Sequence, residues 1–295
     1  MRVLVTGGQG FLGAWIVARL AAAGHETRIF DVGHDMRLVR AIAGHVPEWI
    51  VGDIADPEQV HAVAQECDAI IHLAGILLPA CASNPIRGAQ INLLGTLGVF
   101  EAARSHAISR IVYTSSASVF GPDDGLHPHP MTHYGAFKLA CEGSARAYWA
   151  DHGVPSIGFR PYIVYGPGRE TGLTAGPTLA CKAAARGQDY VIGYTGEAGL
   201  VYVDDVANAY VAAVLHEPSG AHVFSLAGEI ASTCDVAAEI QSQIPASRIS
   251  VDGPALPMPA RLDEDGLAAC LPGLATTPLA DGIARTIAFY RQTER

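Results

Sequence analysis

The sequence predicts an α/β protein, a doubly wound parallel sheet with a small mixed C-terminal lobe. Three observations point there. Over residues 1–160, short β-branched runs alternate with stretches of helical spacing, the pattern of parallel strands joined by crossover helices. The strand candidates are apolar throughout rather than alternating, as strands covered on both faces must be. Past residue 161 the rhythm loosens into glycine- and proline-rich connections, with prolines at 245, 254, 257, 259, 272 and 278.

Residues 3–6 (Val-Leu-Val-Thr) form the first strand candidate. Residues 11–23 follow with helical spacing and end at Gly24, which supplies the left-handed C-cap conformation. The runs 27–30, 49–51, 69–73, 110–115 and 156–160 have strand length. Helices are predicted near 57–66, 86–107 and 132–152. After Pro161, Gly166-Pro167-Gly168 and Gly172 mark loops, and 177–186 reads as a helix. Asp204 or Asp205 caps a helix reaching His216, 222–226 returns as a strand, and 279–290 closes the chain as a helix. The expected division is a sheet domain of 1–164 plus 201–227 and a lobe of 165–200 plus 228–295.

Composition narrows the class of protein. Lys+Arg 19 against Asp+Glu 29 gives a net charge of −10, which disfavours nucleic acid or an anionic membrane as partner. Nothing approaches the ~20 consecutive apolar residues of a membrane span. The initial run Met1-Arg2-Val3-Leu4-Val5 meets glycines before an export signal could form, so the expected compartment is the cytoplasm. The six cysteines (67, 81, 141, 181, 234, 270) lie far apart without a Cys-x-x-Cys, and read as reduced, buried thiols.

Thr6-Gly7-Gly8-Gln9-Gly10-Phe11-Leu12-Gly13 joins the first strand to the first helix. Gly7 permits the tight turn, Gly10 lets backbone approach a pyrophosphate, and Gly13 allows close helix–strand packing. The helix N-terminus adds unpaired N–H groups and a positive dipole end. A glycine triplet alone occurs in many turns. Here the strand–loop–helix context and Asp31 at the end of the next strand specify a Rossmann-type dinucleotide site. Asp31 accepts ribose hydroxyls and repels a 2′-phosphate, so NAD is expected over NADP, with Arg37 near enough in sequence to bear on the preference.

Further motifs follow in order: Gly52-Asp53-Ile54, His72-Leu73-Ala74-Gly75, Asn92 with Gly95-Thr96, Ser115-Ser116-Ala117-Ser118-Val119-Phe120-Gly121, Tyr134-Gly135-Ala136-Phe137-Lys138, Arg160-Pro161 with Gly166-Pro167, and Val203-Asp204-Asp205-Val206. With the glycine loop they cover residues 1 to about 215, and the chain resembles the extended short-chain dehydrogenase/reductase family in its NAD-dependent epimerase/dehydratase branch. The resemblance implies that Asp53 and Ile54 frame the adenine and that Leu73, Ala74 and Gly75 line the cofactor. It also places Pro161 and Ile163 near the nicotinamide and makes Asn92 a cofactor contact or a helix kink. Phe11 and Leu12 join the glycines as cofactor residues. It further implies a homodimer packing helices 86–107 and 132–152 into a four-helix bundle, with Phe100, Tyr148 and Trp149 either core or dimer face.

Tyr134 and Lys138 stand four apart on a predicted helix and share a face. A phenol is a poor base near neutral pH, but an adjacent ammonium and the nicotinamide cation favour the phenolate. Tyr134 then exchanges a proton with a substrate hydroxyl while Lys138 holds the nicotinamide ribose and Ser116 bonds the same substrate oxygen. Ile76, Ser116, Ala117, His133, Tyr162 and Arg169 are the candidate substrate contacts, and Arg169 and Glu170 either grip substrate or pair with each other. His127, His129 and His133 cluster, but two precede prolines and none has a partner at metal spacing, so no metal is expected.

These residues imply an NAD-dependent oxidoreductase acting on a secondary alcohol. A catalytically idle NAD-binding regulator is the contrasting reading, and the intact Ser116, Tyr134 and Lys138 disfavour it. Sugar 4,6-dehydratases carry an Asp-Glu pair where this chain has Ala117 and Ser118, which disfavours water elimination. Nucleotide-sugar epimerases read Arg-x-x-Asn where this chain has Arg160-Pro161-Tyr162-Ile163, and place an arginine where Ala198 stands. Both absences point to a small polyhydroxylated substrate, a sugar or sugar acid, with a nucleotide-sugar 4-epimerase as the alternative.

Overall fold

β1 (Arg2–Thr6) is buried from Val3 onward because helices cover it on both sides. The computed structural model describes residues 1–293 apart from 123–124, 218, 258, 260 and 263–264. After β1 come β2 (Glu26–Asp31), β3 (Glu48–Val51), β4 (Ala69–His72), β5 (Ile111–Thr114) and β6 (Ser156–Pro161). They are followed by β7 (Ile163–Tyr165), β8 (Tyr190–Ile192), β9 (Glu197–Tyr202), β10 (Ala221–Leu226), β11 (Glu229–Ser232) and β12 (Ile249–Val251). Seven strands form one sheet in the order β10-β6-β5-β4-β1-β2-β3, every pair parallel. A second sheet, β11-β9-β7, is mixed, and β12 pairs with β8.

The helices are α1 (Phe11–Ala22), α2 (Arg37–Ala43), α3 (Pro57–Ala64), α4 (Leu78–Ser83), α5 (Pro85–Ala89), α6 (Gly95–Ser105) and α7 (His133–His152), then α8 (Gly176–Ala185), α9 (Val203–Leu215), α10 (Thr233–Gln243), α11 (Leu267–Cys270) and α12 (Leu279–Thr293). None is long and apolar enough to cross a membrane. The pleat sends Val3 and Val5 to one face, against Ile16 and Leu20 of α1 and Tyr210 of α9. Leu4 faces the other way, against Val60 of α3, Phe100 of α6 and Cys141 of α7. A separate apolar cluster joins β7, β9, α8, α10 and α12.

Several expectations change here. The helix expected over 86–107 is three pieces, with a π-helical turn at Gln90–Leu94 between α5 and α6. Asn92 explains the break. Its side-chain amide donates to Ile76 O (3.1 Å) and its backbone carbonyl accepts from Thr96 Oγ1 (2.8 Å), which holds the widened turn open.

Neither Asp204 nor Asp205 is a cap, because α9 starts at Val203 with Tyr202 in the cap position. Asp204 is instead paired with Arg19 of α1, and Asp205 accepts from Thr277 N (2.6 Å) and Oγ1 (2.8 Å). The residues 163–164 and 201–202, expected with the large sheet, pair in the small one. Cys67, Cys81, Cys141 and Cys181 are buried thiols, but Cys234 is exposed, since α10 buries Thr233, Val236 and Ala237 and turns it outward.

Candidate active site

The turn between β1 and α1 opens onto a cleft of about 880 Å³, near the top of the range for small-molecule sites. Gly7 adopts φ +71°, and a Cβ there would lie 2.7 Å from Ala74 N. A Cβ on Gly13 would lie 2.5 Å from Gly8 Cα, so both positions exclude a side chain. Gly10 is the N-cap of α1 and no side chain caps the helix, which leaves the first-turn N–H groups of Phe11, Leu12 and Gly13 for an anion.

Asp31 ends β2 on the cleft wall, accepting from Gln9 N (3.1 Å) and Gly33 N (3.2 Å). Arg37 leaves Asp31 alone. Its guanidinium is spent on Asp35 (2.8 Å), whose carboxyl it holds down at about 2. An unneutralised acid at the ribose position suits NAD and opposes a 2′-phosphate. Asp53 accepts from Ala55 N (2.9 Å) and Arg87 Nη2 (2.7 Å), which hold it below the usual carboxylate range, and Ile54 beside it is buried. Leu73, Ala74 and Gly75 line the cleft. Asn92 Oδ1 is buried without a partner and lies 2.6 Å from where a Cβ on Gly75 would sit. Glycine keeps that carbonyl reachable from the cleft. The glycine turn, the free first-turn N–H groups, Asp31 and the orphaned Asn92 oxygen together fit a dinucleotide.

Thr132 caps α7 by accepting from Gly135 N (3.0 Å), and this sets Tyr134 in the first helical turn, at the positive end of the dipole. Lys138, one turn later and buried, donates to Thr114 O (2.7 Å), with Nζ 5.8 Å from the Tyr134 ring centroid. The two adjacent serines divide their work. Ser115 Oγ donates to Glu142 (2.5 Å), whereas Ser116 Oγ accepts from Ser118 N (3.1 Å), leaving its proton for a ligand. Ser116, Tyr134 and Lys138 all line the cleft, as do Pro161 and Ile163.

Among the substrate candidates, Ile76, Ala117, Tyr162 and Arg169 line the cleft. Tyr162 offers only its ring, since its buried hydroxyl donates to Pro259 O. His133 is not in the cleft. It precedes Tyr134 by one position, about 100° round the helix, and its exposed ring stacks on Phe137. Arg169 and Glu170 do not pair, because Glu170 is held by Lys182 (2.7 Å).

Sequence reading missed a buried network behind the site. Glu142, fully buried on α7, accepts from Ser115 and from both arms of Arg160 (2.7 and 2.5 Å). Its signal was the spacing of 134, 138 and 142, three successive turns of one face. Also missed were the lobe-side walls, residues 171–174 with Leu256 and Pro257, which carry no motif.

The model of the NAD dependent epimerase/dehydratase family matches residues 3–227. The chain is 29% identical over 313 residues to the UDP-glucose 4-epimerase of Mycolicibacterium smegmatis, covering 99% of each. It is 33% identical over 223 residues to the 2-alkyl-3-oxoalkanoate reductase of Stenotrophomonas maltophilia, covering 71% of this chain and 64% of that protein. The UDP-glucose 4-epimerase of Thermus thermophilus, solved in complex with NAD, superposes with a TM-score of 0.84 at 25% identity over 99% of each chain. With the glycine turn, Asp31 and the Tyr134–Lys138 pair on one cleft, these matches show that the chain belongs to the NAD dependent epimerase/dehydratase family.

Proposed function

We propose that this NAD-dependent enzyme oxidises or re-forms a secondary alcohol of a small polyhydroxylated substrate, a sugar or sugar acid, with Tyr134 as the acid/base. The convergence of Ser116, Tyr134 and Lys138 on the cleft that carries the glycine turn supports this reading most directly. Bound NAD⁺ supplies the hydride acceptor. Tyr134 takes the proton of the substrate hydroxyl as the carbinol carbon is oxidised, and returns it in the reverse direction. Lys138 Nζ, 5.8 Å from the Tyr134 ring centroid, and the N-terminus of α7 place positive charge beside this phenol. Ser116 Oγ donates a hydrogen bond to the same oxygen and keeps the hydroxyl in line with Tyr134.

The substrate size follows from charge. Ala198, at the position of a diphosphate-binding arginine, is buried in β9 opposite Ala231. Ile163 starts β7 as an apolar wall. Of the cations lining the cleft, Arg87 is paired with Asp53 and Lys138 is bonded to Thr114 O, which leaves Arg169 as the one unpaired cation there among the described residues. Little remains to balance a diphosphate of about two charges, each lost charged bond costing about 1.5–3 kcal/mol.

Replacing Tyr134 by Phe is expected to lower kcat by about 10²–10⁴ while NAD binding stays within twofold. Screening sugars and sugar acids for NADH formation at 340 nm reads this directly. A Tyr134→Phe variant with normal rates refutes the assignment, and interconversion of C4 epimers of a UDP-sugar replaces it with the epimerase.

The same reading includes a homodimer through α5–α6 and α7. Phe100 is buried and stacks on Tyr148 (5.0 Å), but Ile86, Leu94 and Trp149 expose 75%, 56% and 41% of their surface on these helices. Light scattering at micromolar concentration is expected to give twice the chain mass, falling to the chain mass in Trp149→Asp. A monomeric native protein removes the claim.

A further inference from the structure

Arg169 follows the Gly166-Pro167-Gly168 turn between β7 and α8 and lines the cleft from the lobe side. Among the described residues its guanidinium makes no hydrogen bond and no ion pair, and its Nε is fully buried without a partner. Its guanidinium carbon lies 5.7 Å from the Phe11 ring centroid, and Nη2 lies 3.2 Å from where a Cβ on Gly172 would sit. The neighbouring acid is already spent. Glu170 accepts from Lys182 Nζ (2.7 Å) and Tyr290 Oη (3.3 Å). Arg87 and Lys138, the other cations on the cleft wall, both have partners.

A guanidinium partly withdrawn from water without acceptors is costly, and arginines so placed are commonly balanced by an anion. Burial indeed holds this group's pKa below its ordinary value. Among the described residues no carboxylate serves, so the anion comes with a ligand. The cofactor diphosphate has its own donors in the first turn of α1. Tyr134 and Tyr194 are the phenols that act electrostatically on Arg169, so its charge is within reach of the proton-transfer end of the cleft as well as of Phe11. One planar fork matches the two oxygens of one carboxylate.

We propose that Arg169 binds the carboxylate of the substrate, so that the enzyme takes a sugar-derived hydroxy acid in preference to its neutral counterpart. This rests on the small-substrate reading above and narrows it to one class.

The test uses NAD-saturated enzyme and three matched pairs: D-galacturonate with D-galactose, D-glucuronate with D-glucose, and D-gluconate with D-glucitol. Calorimetry gives the affinity of each, and absorbance at 340 nm gives its oxidation. At least one acid is expected to bind tenfold or more tightly than its neutral partner. Arg169→Met keeps the side-chain volume without the charge, and is expected to reduce that preference below threefold while the fold and NAD affinity persist. Arg169→Lys is expected to recover part of it. The proposal is overturned if no acid outbinds its partner, if the preference survives in Arg169→Met, or if that variant weakens NAD tenfold, which would assign Arg169 to the cofactor diphosphate. An acid that binds through Arg169 without forming NADH leaves this inference standing and removes the dehydrogenase reading. NADH formed from neutral compounds without any acid preference does the reverse.

Discussion

Glu142 is the residue on which the geometry behind the catalytic group turns. Its carboxylate has no exposed surface and receives three donors, Ser115 Oγ at 2.5 Å, Arg160 Nε at 2.7 Å and Arg160 Nη2 at 2.5 Å. Glu142→Ala would leave the Arg160 guanidinium, 14% exposed, without its anion, and the Ser115 hydroxyl without an acceptor. Removing one partner of a buried pair costs about 3–5 kcal/mol. An unfolding entropy of about 2.1 cal/mol/K per residue gives about 0.6 kcal/mol/K for this chain length, so Tm should fall by about 5–8 °C. Glu142→Leu combined with Arg160→Met removes both charges and should cost at least 2 kcal/mol less than the sum of the single changes. Urea unfolding followed by circular dichroism measures all four corners of this cycle. Because Ser116 follows Ser115 directly, kcat should fall in Glu142→Ala with NAD affinity retained. A single variant within about 1 kcal/mol of the native protein, or a double variant equal to the sum of the singles, would refute the coupling.

Asp31→Asn keeps an acceptor for a backbone N–H but removes the charge, and the NAD-over-NADP preference should fall at least tenfold, about 1.4 kcal/mol; fluorescence titration with both cofactors checks it, and an unchanged ratio counts against Asp31. His72, fully enclosed between Thr6 Oγ1 (2.6 Å) and Thr96 Oγ1 (2.9 Å), is held neutral down to about 3 by burial, with the Lys138 charge adding to the effect. The unfolded chain takes up that proton near 6.5 and the folded one does not, so stability is lost as pH falls below 6.5, by about 2 kcal/mol at pH 5. His72→Gln should flatten this acid limb in melts between pH 5 and 7.5, and superimposable limbs would exclude the mechanism.

What was legible in the sequence was local. The glycine turn, Asp31 and the Tyr134–Lys138 pair each depend on spacings of a few residues that backbone geometry converts directly into position. The Glu142–Arg160 pair joins residues 18 apart on different elements, and nothing in either segment announces the other. A kink at Asn92 comes only from the family resemblance and not from the local pattern, since its partners Ile76 and Cys81 lie on the preceding loop and helix. His133 misled because adjacency to Tyr134 in sequence is divergence on a helix. β7, β8 and β12 span three residues each, too short for a periodic signal, and are held by pairing to distant strands.

Between β6 and β7 a single residue, Tyr162, carries the chain from the seven-stranded sheet to the small one. It crosses back where β9 runs directly into α9, and over again through Ala227 and Gly228 between β10 and β11. Three short seams therefore stitch the two sheets, each too tight to stretch alone. Neither part is contiguous in sequence, and transplanting the substrate side onto a relative would mean matching all three joints at once. The exchangeable parts are the loops hung from that frame, the stretch after Tyr165 that carries Arg169 and the one around Leu256 and Pro257. Descendants of such a fold can change what they grip by rewriting those two loops while the stitched frame, and the cofactor seat it fixes, stays as it is.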